Sequence, residues 1–428
     1  MVHKKRVFHR FVHRPGTIYV LVLSTSVMVT VIGLAALYAV RVQRRTLEMT
    51  ENSGSARLCA QAAVELGLHY VSSDTDWRTN RTNGTWLSDQ TLGQGSFSLT
   101  GIDPVDGDLT NSDLDPVILT GTGNHGFAQQ KIQVRLIPGE IQGLDCLTAA
   151  LHVGGDLILA SATEAIDVNS ALVSCNEKVI NSGTIYGDVD ANSVIEEGTI
   201  TGTLNSPAPD KEMPDDATLF TYYQSLGTAI SILSIPTVSG THTMEDLYLA
   251  DTYNPYGMKE TNTSGVYVID CMGLDLNIRN SHILGTLVLL DAGSLSQIDG
   301  SVYWEQTQTD PATGALLPSL LVQGDLTLSL SNTSLDESST PVDLNNDSDM
   351  VDTWPSIIKG LVYISGRLTA TTETQFYEGT LVTGGDCELS DTQLTVDYQS
   401  TFYENPPSGW HAPVEMKIAT GSWQKVVD

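Results

Sequence analysis

The feature that most constrains this chain is a run of 24 residues, Thr17 to Val40, that carries no charged side chain and is closed on both sides by Lys and Arg. Lys4, Lys5, Arg6, Arg10 and Arg14 precede it, Arg41, Arg44 and Arg45 follow it, and the first acid is Glu48. At about 1.5 Å of rise per residue the run makes a helix of about 36 Å, more than a hydrocarbon core of about 30 Å requires. A cleaved secretory signal has an apolar stretch of only about 7 to 15 residues and a small-residue exit. This run leaves through Arg41-Val42-Gln43-Arg44-Arg45. The expectation is a single-pass membrane helix over Thr17 to Val40. The larger positive charge before it places the 1–16 leader in the cytoplasm and the remainder outside. Ser24, Thr25, Ser26 and Thr30 are tolerable in lipid because their hydroxyls can return to backbone carbonyls, and with Gly33 they offer a helix-packing face.

Beyond the span the charge reverses. Eight of the 21 Lys and Arg lie before Glu48, leaving 13 to face all 51 acids. A polyanion of this kind excludes nucleic acid as a partner, because neutralising phosphates needs a basic patch. The 37 Gly and the scarcity of Lys fit a turn-rich β architecture. Cys59, Cys146, Cys175, Cys271 and Cys387 form no CxxC and are odd in number. They make neither a disulfide framework nor a zinc site. They read as buried free thiols, with one or two long-range bridges as the alternative.

After the span the helical pattern continues. Leu58, Ala62, Leu66 and Tyr70 recur every fourth residue with Cys59 and Ala63 beside them, a stripe for packing. Asn52-Ser53-Gly54-Ser55 reads as a kink or short break. Three β-rich runs follow, Ser96 to Thr100, Pro116 to Thr120 and Gln130 to Ile137, separated by turns such as Asp103-Pro104-Val105-Asp106-Gly107-Asp108.

Three segments, Pro15-Gly16-Thr17-Ile18-Tyr19-Val20-Leu21-Val22-Leu23, Ile32-Gly33-Leu34-Ala35-Ala36-Leu37 and Ala60-Gln61-Ala62-Ala63-Val64-Glu65-Leu66-Gly67-Leu68, resemble the N terminus of PilX-type minor pilins. That group stands with the type IV pilins and the type II secretion pseudopilins, and the resemblance covers about residues 10–140. It implies a long helix with a small antiparallel sheet, cleavage by a prepilin peptidase after Gly16, and packing of the released helix against other pilin-like subunits. Pilins carry a Glu five residues after the cut, where this chain has Leu21. Leu21 offers no carboxylate to a neighbouring subunit's free amino terminus.

From about Leu151 the sequence changes to short β-branched runs that start at Gly. Gly183-Thr184-Ile185-Tyr186-Gly187 is echoed by Gly198-Thr199-Ile200-Thr201-Gly202, and Gly285-Thr286-Leu287-Val288 by Gly300-Ser301-Val302-Tyr303. Gly324, Gly360 and Gly379 open similar runs. A period near 15 to 20 fits the coils of a parallel β-solenoid. The repeats are similar in a generic way to polymer-forming bactofilin-type β-helices. Two antiparallel sheets in a sandwich are the alternative. Asp215 to Gly227 reads as a helical insertion, with Leu219, Tyr222, Tyr223 and Leu226 on one side, that caps or braces the solenoid edge.

Sites for chemistry are sparse. His69, His125, His152, His242, His282 and His411 are scattered, and no HExxH, GxSxG or phosphate loop occurs. A lyase would need a base such as Lys178, Arg279, Lys359 or Arg367, which read instead as surface charges. Asp343, Asn345, Asp347 and Asp349 alternate as in the first half of a calcium loop and form a candidate Ca2+ site. Ser348 and Trp354 stand where such a loop has Gly and Glu. A solvated turn is the alternative. Trp354-Pro355 and Tyr403 to Trp410 read as plugs at the end of a β core, or as stacking surfaces for sugar rings.

The reading is a mainly β protein with an N-terminal transmembrane helix. It divides into a leader at 1–16, a span at 17–40, a pilin-like helix and sheet at 41–140 and a β-solenoid at 145–428 with a helix near 215–227. It is expected in a bacterial inner membrane, held by lipid, with no enzymatic activity and no required cofactor. Its role would be that of a pilus-assembly or pseudopilin-like envelope protein that projects an acidic scaffold or adhesive surface toward a polysaccharide or cell-surface ligand. The alternatives are a membrane-tethered carbohydrate-active β-helix enzyme and a self-polymerising β-helix scaffold.

Overall fold

In the computed structural model, residues 15–257, 261–340, 342–343, 348–371, 374–412 and 414–426 are described. They form two compact units, one comprising the chain up to Pro138 together with the segment from Glu415 onward, the other Gly139–Val414.

The first unit is built on a single helix, α1 (Pro15–Ser73). The expected break at Asn52–Ser55 is absent, because the polar side chains there are engaged from outside the helix. His125 Nδ1 lies 3.0 Å from Asn52 Oδ1, and Gln130 Nε2 donates to Ser53 Oγ at 3.2 Å. Four antiparallel strands follow in the order β1 (Gly84–Leu92), β2 (Gly95–Ile102), β3 (Val117–His125) and β4 (Ala128–Pro138). The sequence reading missed β1, whose residues are mostly exposed and show no clean alternation.

The back half of α1 lies directly on this sheet. A Cβ at Gly121 would come within 2.2 Å of the Ala60 carbonyl oxygen, and one at Gly123 within 2.1 Å of that of Ala56. Only glycine on the strand and small residues on the helix permit this approach. The buried line therefore runs through Ala56, Cys59, Ala60, Ala63, Val64 and Gly67. Leu58, expected on the stripe, is exposed. Met416–Ile418 and Gln424–Val426 pair antiparallel with the outer edge of β4. These C-terminal strands correct the 145–428 boundary: the open edge of β4 recruits them into the first unit, which supplies its unpaired backbone groups with partners.

The second unit winds as a three-sided coil whose stacked strands pair in parallel with their counterparts one turn away, while the short strands Thr237–Val238 and Leu335–Asp336 pair antiparallel with Thr241–Glu245 and Thr353–Trp354. One face contains Val266–Asp270, Thr286–Ala292 and Leu320–Gly324, the next Leu276–Arg279, Gln297–Gly300 and Leu326–Leu330, the third His282–Leu284 and Tyr303–Glu305. Thr184 stacks on Thr199 and Ile185 on Ile200, the 15-residue echo seen in the sequence. Gly198 fits because a Cβ there would meet the Gly183 carbonyl oxygen at 2.1 Å. The Gly285 and Gly300 echo is not a turn of the coil. Thr286 stacks on Val266, twenty residues back, while Gly300 belongs to another face.

Spatial order also departs from chain order. Leu151 stacks on Leu381, Leu157 on Cys387 and Ala165 on Gln393, so the unit's first coil lies against its last. The chain thus enters in the middle of the stack, winds to one end at Leu204–Asn205, crosses to the other end and winds back. The crossing carries α2 (Asp216–Leu226), whose N-cap Asp215 accepts from the Thr218 N–H and whose C-cap is Gly227. This helix braces no edge. Leu219, Phe220 and Tyr223 are buried against Val266, Val268, Val288, Leu321, Leu361 and Tyr363, on the outer side of one face. That face is therefore apolar on both sides, and its strands read Val-Tyr-Val-Ile and Leu-Val-Leu-Leu without alternation. The next face, solvated outside, alternates strictly, as in Leu326-Thr327-Leu328-Ser329-Leu330. Trp410 plugs no end either. It is fully buried beside Tyr363, ring centroids 5.3 Å apart, in the same outer layer.

Candidate functional site

The sequence singled out the apolar span, and the structure leaves it bare. Every residue from Ile18 to Val40 is exposed. Fifteen are large hydrophobics, from Ile18 at 65% to Val40 at 53% exposure. At about 1.5 to 3 kcal/mol per side chain, leaving this surface in water costs on the order of 20 kcal/mol or more. Something apolar must cover it. Ser24 Oγ donates to the Leu21 carbonyl at 2.9 Å, Thr25 Oγ1 to Val22 at 3.0 Å and Thr30 Oγ1 to Ser26 at 2.8 Å, so these hydroxyls are satisfied without solvent. Gly16 is the second residue of α1 and is exposed. The leader residues Lys4, Lys5, Arg6, Arg10 and Arg14 lie outside the described residues. Farther along, Phe127 stands fully exposed in the β3–β4 turn and, with Arg45, Met49 and Asn52, lines an open cleft of about 380 Å³.

The candidate calcium run is reorganised. Asn345 and Asp347 lie outside the described residues. Asp343 Oδ2 accepts from the Ser348 N–H at 2.9 Å, and Asp349 joins Glu337 and Asp352, one carboxylate oxygen of each within 4.8 Å of the others. Sequence spacing could not anticipate Glu337, which lies outside the alternating run.

Arg279, Lys359 and Arg367, three of the four cations that could serve as bases, are held in ion pairs between coils. Arg279 Nε donates to Glu245 Oε1 at 2.8 Å, and the acid raises the guanidinium pKa. Lys359 Nζ lies 3.9 Å from Glu305 and 3.5 Å from Glu378, and Arg367 lies 3.0 Å from Asp386 and 3.7 Å from Glu388. Lys178 is partly exposed. The histidines do not converge. Burial pushes His152 down to about 3 and His282 down to about 4, so both are neutral. Ser174 Oγ meets His152 Nδ1 at 2.7 Å, while Tyr303, Trp354 and Tyr248 ring His282 at 4.7, 5.0 and 5.6 Å. All five cysteines are free and buried.

No family model matches the chain, and no curated protein matches it. Among solved structures it is similar to the competence-associated pilin ComZ from Thermus thermophilus, at 14% identity over 88% of this chain and 98% of that one, with a TM-score of 0.30. A likeness at that score carries no argument about function. What stands on this chain's own geometry is a long helix, apolar and bare at the front and sheet-bound at the back, in a mainly β protein.

Proposed function

We propose that the chain is a membrane-anchored, non-enzymatic protein of the bacterial envelope with the design of a pilin, carrying an acidic β-solenoid as a scaffold or adhesive surface. One observation carries this reading: α1 is continuous from a bare apolar half to a half buried on an antiparallel sheet. Such a helix transmits its anchoring rigidly to the folded part. Lipid covers the span in the resting state, and the same surface can pack against other pilin-like helices, since the hydroxyls of Ser24, Thr25 and Thr30 are bonded within the helix and ask nothing of a neighbour. The N terminus would be cytoplasmic and the solenoid extracytoplasmic. The solvated outer faces of the coil carry Thr, Ser, Asp and paired charges, which suits reach and contact rather than catalysis, and a surface glycan or protein is the ligand class we assign to them.

Deleting residues 1–45 tests the anchor: the truncated protein is expected in the soluble fraction, and its recovery with membranes would overturn the reading. Mass analysis of the native N terminus tests the pilin part. A chain beginning at Thr17 supports processing after Gly16; one beginning at Met1 or Val2 removes it and leaves a plain anchored protein.

A further inference from the structure

The β2–β3 connection of the first unit carries the Asp-rich turn Asp103-Pro104-Val105-Asp106-Gly107-Asp108. Its fold does more. Asp103, Asp106 and Asp115 converge, one carboxylate oxygen of each within 4.8 Å of the others. Asp103 is 3% exposed and forms the buried wall of the cluster. Its backbone N–H donates to Asn83 Oδ1 at 2.8 Å, and its Oδ1 accepts from the Val105 N–H at 2.7 Å. Its Oδ2 is buried and has no hydrogen-bond partner. A carboxylate oxygen removed from water without a partner is among the costlier groups a protein can bury.

The nearby cation does not fill that role. Arg78, 9% exposed, directs its guanidinium at the backbone, donating to the carbonyls of Leu109, Asp113 and Asp115 at 3.4, 3.2 and 2.5 Å. It thereby shapes the connection and offsets one of the three negative charges. Two remain. Asp106 is arranged from the other side, its Oδ1 accepting from the Asp108 N–H at 2.9 Å and its Oδ2 from Asn111 Nδ2.

We propose that Asp103, Asp106 and Asp115 form a binding site for a hard divalent cation, with calcium the fitting ion. Three oxygens no more than 4.8 Å apart surround a point that is reachable from each at nearly the calcium–oxygen distance of about 2.3 to 2.6 Å. Magnesium needs about 2.0 to 2.1 Å and strict octahedral geometry, so the same site must contract further for it. The donor set is all oxygen, without the His or Cys that zinc favours. Asp106 is exposed and Asp115 half-buried, which leaves an open side for water ligands and for entry. The bound ion ties both ends of the connection, Asp103 just after β2 and Asp115 just before β3, to its middle at Asp106. This assignment is independent of the pilin reading.

Full-length protein in detergent micelles, stripped with chelator, is titrated with calcium chloride by calorimetry beside Asp103→Asn and the control Asp89→Asn. The wild type and D89N are expected to bind one more equivalent than D103N, or to bind it at least tenfold more tightly, and magnesium is expected to bind at least tenfold more weakly. In chelator, D103N is expected to melt no lower than wild type, since it removes an unpartnered charge, and wild type and D89N should gain more than D103N on adding calcium. Equal calcium binding by D103N and wild type, or no stoichiometric binding by wild type, overturns the proposal. Magnesium binding as tight as calcium overturns the choice of ion. Should D103N fail to fold, Asp115→Asn in the same titration carries the same two outcomes.

Discussion

His282 offers a sharp test of how dry the second unit is. Its ring is 4% exposed, is surrounded by Tyr248, Tyr303 and Trp354, and leaves Nδ1 buried without a partner. Burial lowers its pKa from 6.5 to about 4. The folded value lies below the unfolded one, so the unfolded chain binds the extra proton. Stability from this group is complete above the unfolded value and is lost as pH falls toward the folded value. Between about pH 7.5 and about pH 5 the unfolded imidazole charges while the folded one does not, which at about 1.4 kcal/mol per unit amounts to about 2 kcal/mol. His282→Phe keeps an aromatic ring among its three neighbours and removes both the proton site and the unpartnered nitrogen. Denaturant unfolding of the full chain in micelles, followed by tryptophan fluorescence at both pH values, should show wild type losing about 2 kcal/mol more on acidification than H282F. His152 and the carboxylates titrate in both proteins and cancel in the comparison. An identical pH dependence in the two would refute the reasoning, because it would mean that the native ring is solvated and takes up its proton freely.

Three further outcomes follow from the geometry. Gly121→Val places a Cβ against the Ala60 carbonyl, where neither backbone can yield; it should destabilise the first unit by about 3 kcal/mol and expose β3 to protease, and an unchanged melting profile would contradict the close helix–sheet contact. Burial raises Cys146, Cys271 and Cys387 to about 12 and Cys175 to about 11. These four should resist a thiol reagent at mildly alkaline pH in the native protein and react together on unfolding, and rapid native labelling of any of them would show that its coil is open. Arg279→Ala removes a half-exposed cross-coil pair with Glu245 and should cost no more than about 1 kcal/mol in denaturant melts; a larger loss would give that pair a structural role beyond its charge.

Composition and pattern alone determined the helix, its bare apolar front and the predominance of β structure. Those are local or additive properties: 24 uncharged residues need an apolar solvent wherever they are, and a run such as Gly183 to Gly187 repeated fifteen residues later must present the same side chains to the same layer. The capping of α2 was equally legible, since Asp215 and Gly227 act within one turn of the helix they bound. What the sequence could not decide was where separate pieces meet. The stacking of Leu151 on Leu381, the return of Met416–Ile418 to β4, and the meeting of Asp103 with Asp115 all join residues that no periodicity links. One of the tertiary facts did leave a trace. The face covered by α2 has unbroken apolar strands, while the solvated face alternates, and the contrast between Val266–Ile269 and Leu326–Leu330 marks which surface another element must cover. Short-range chemistry sets each strand's inside and outside; only chain closure over hundreds of residues settles which neighbour it receives.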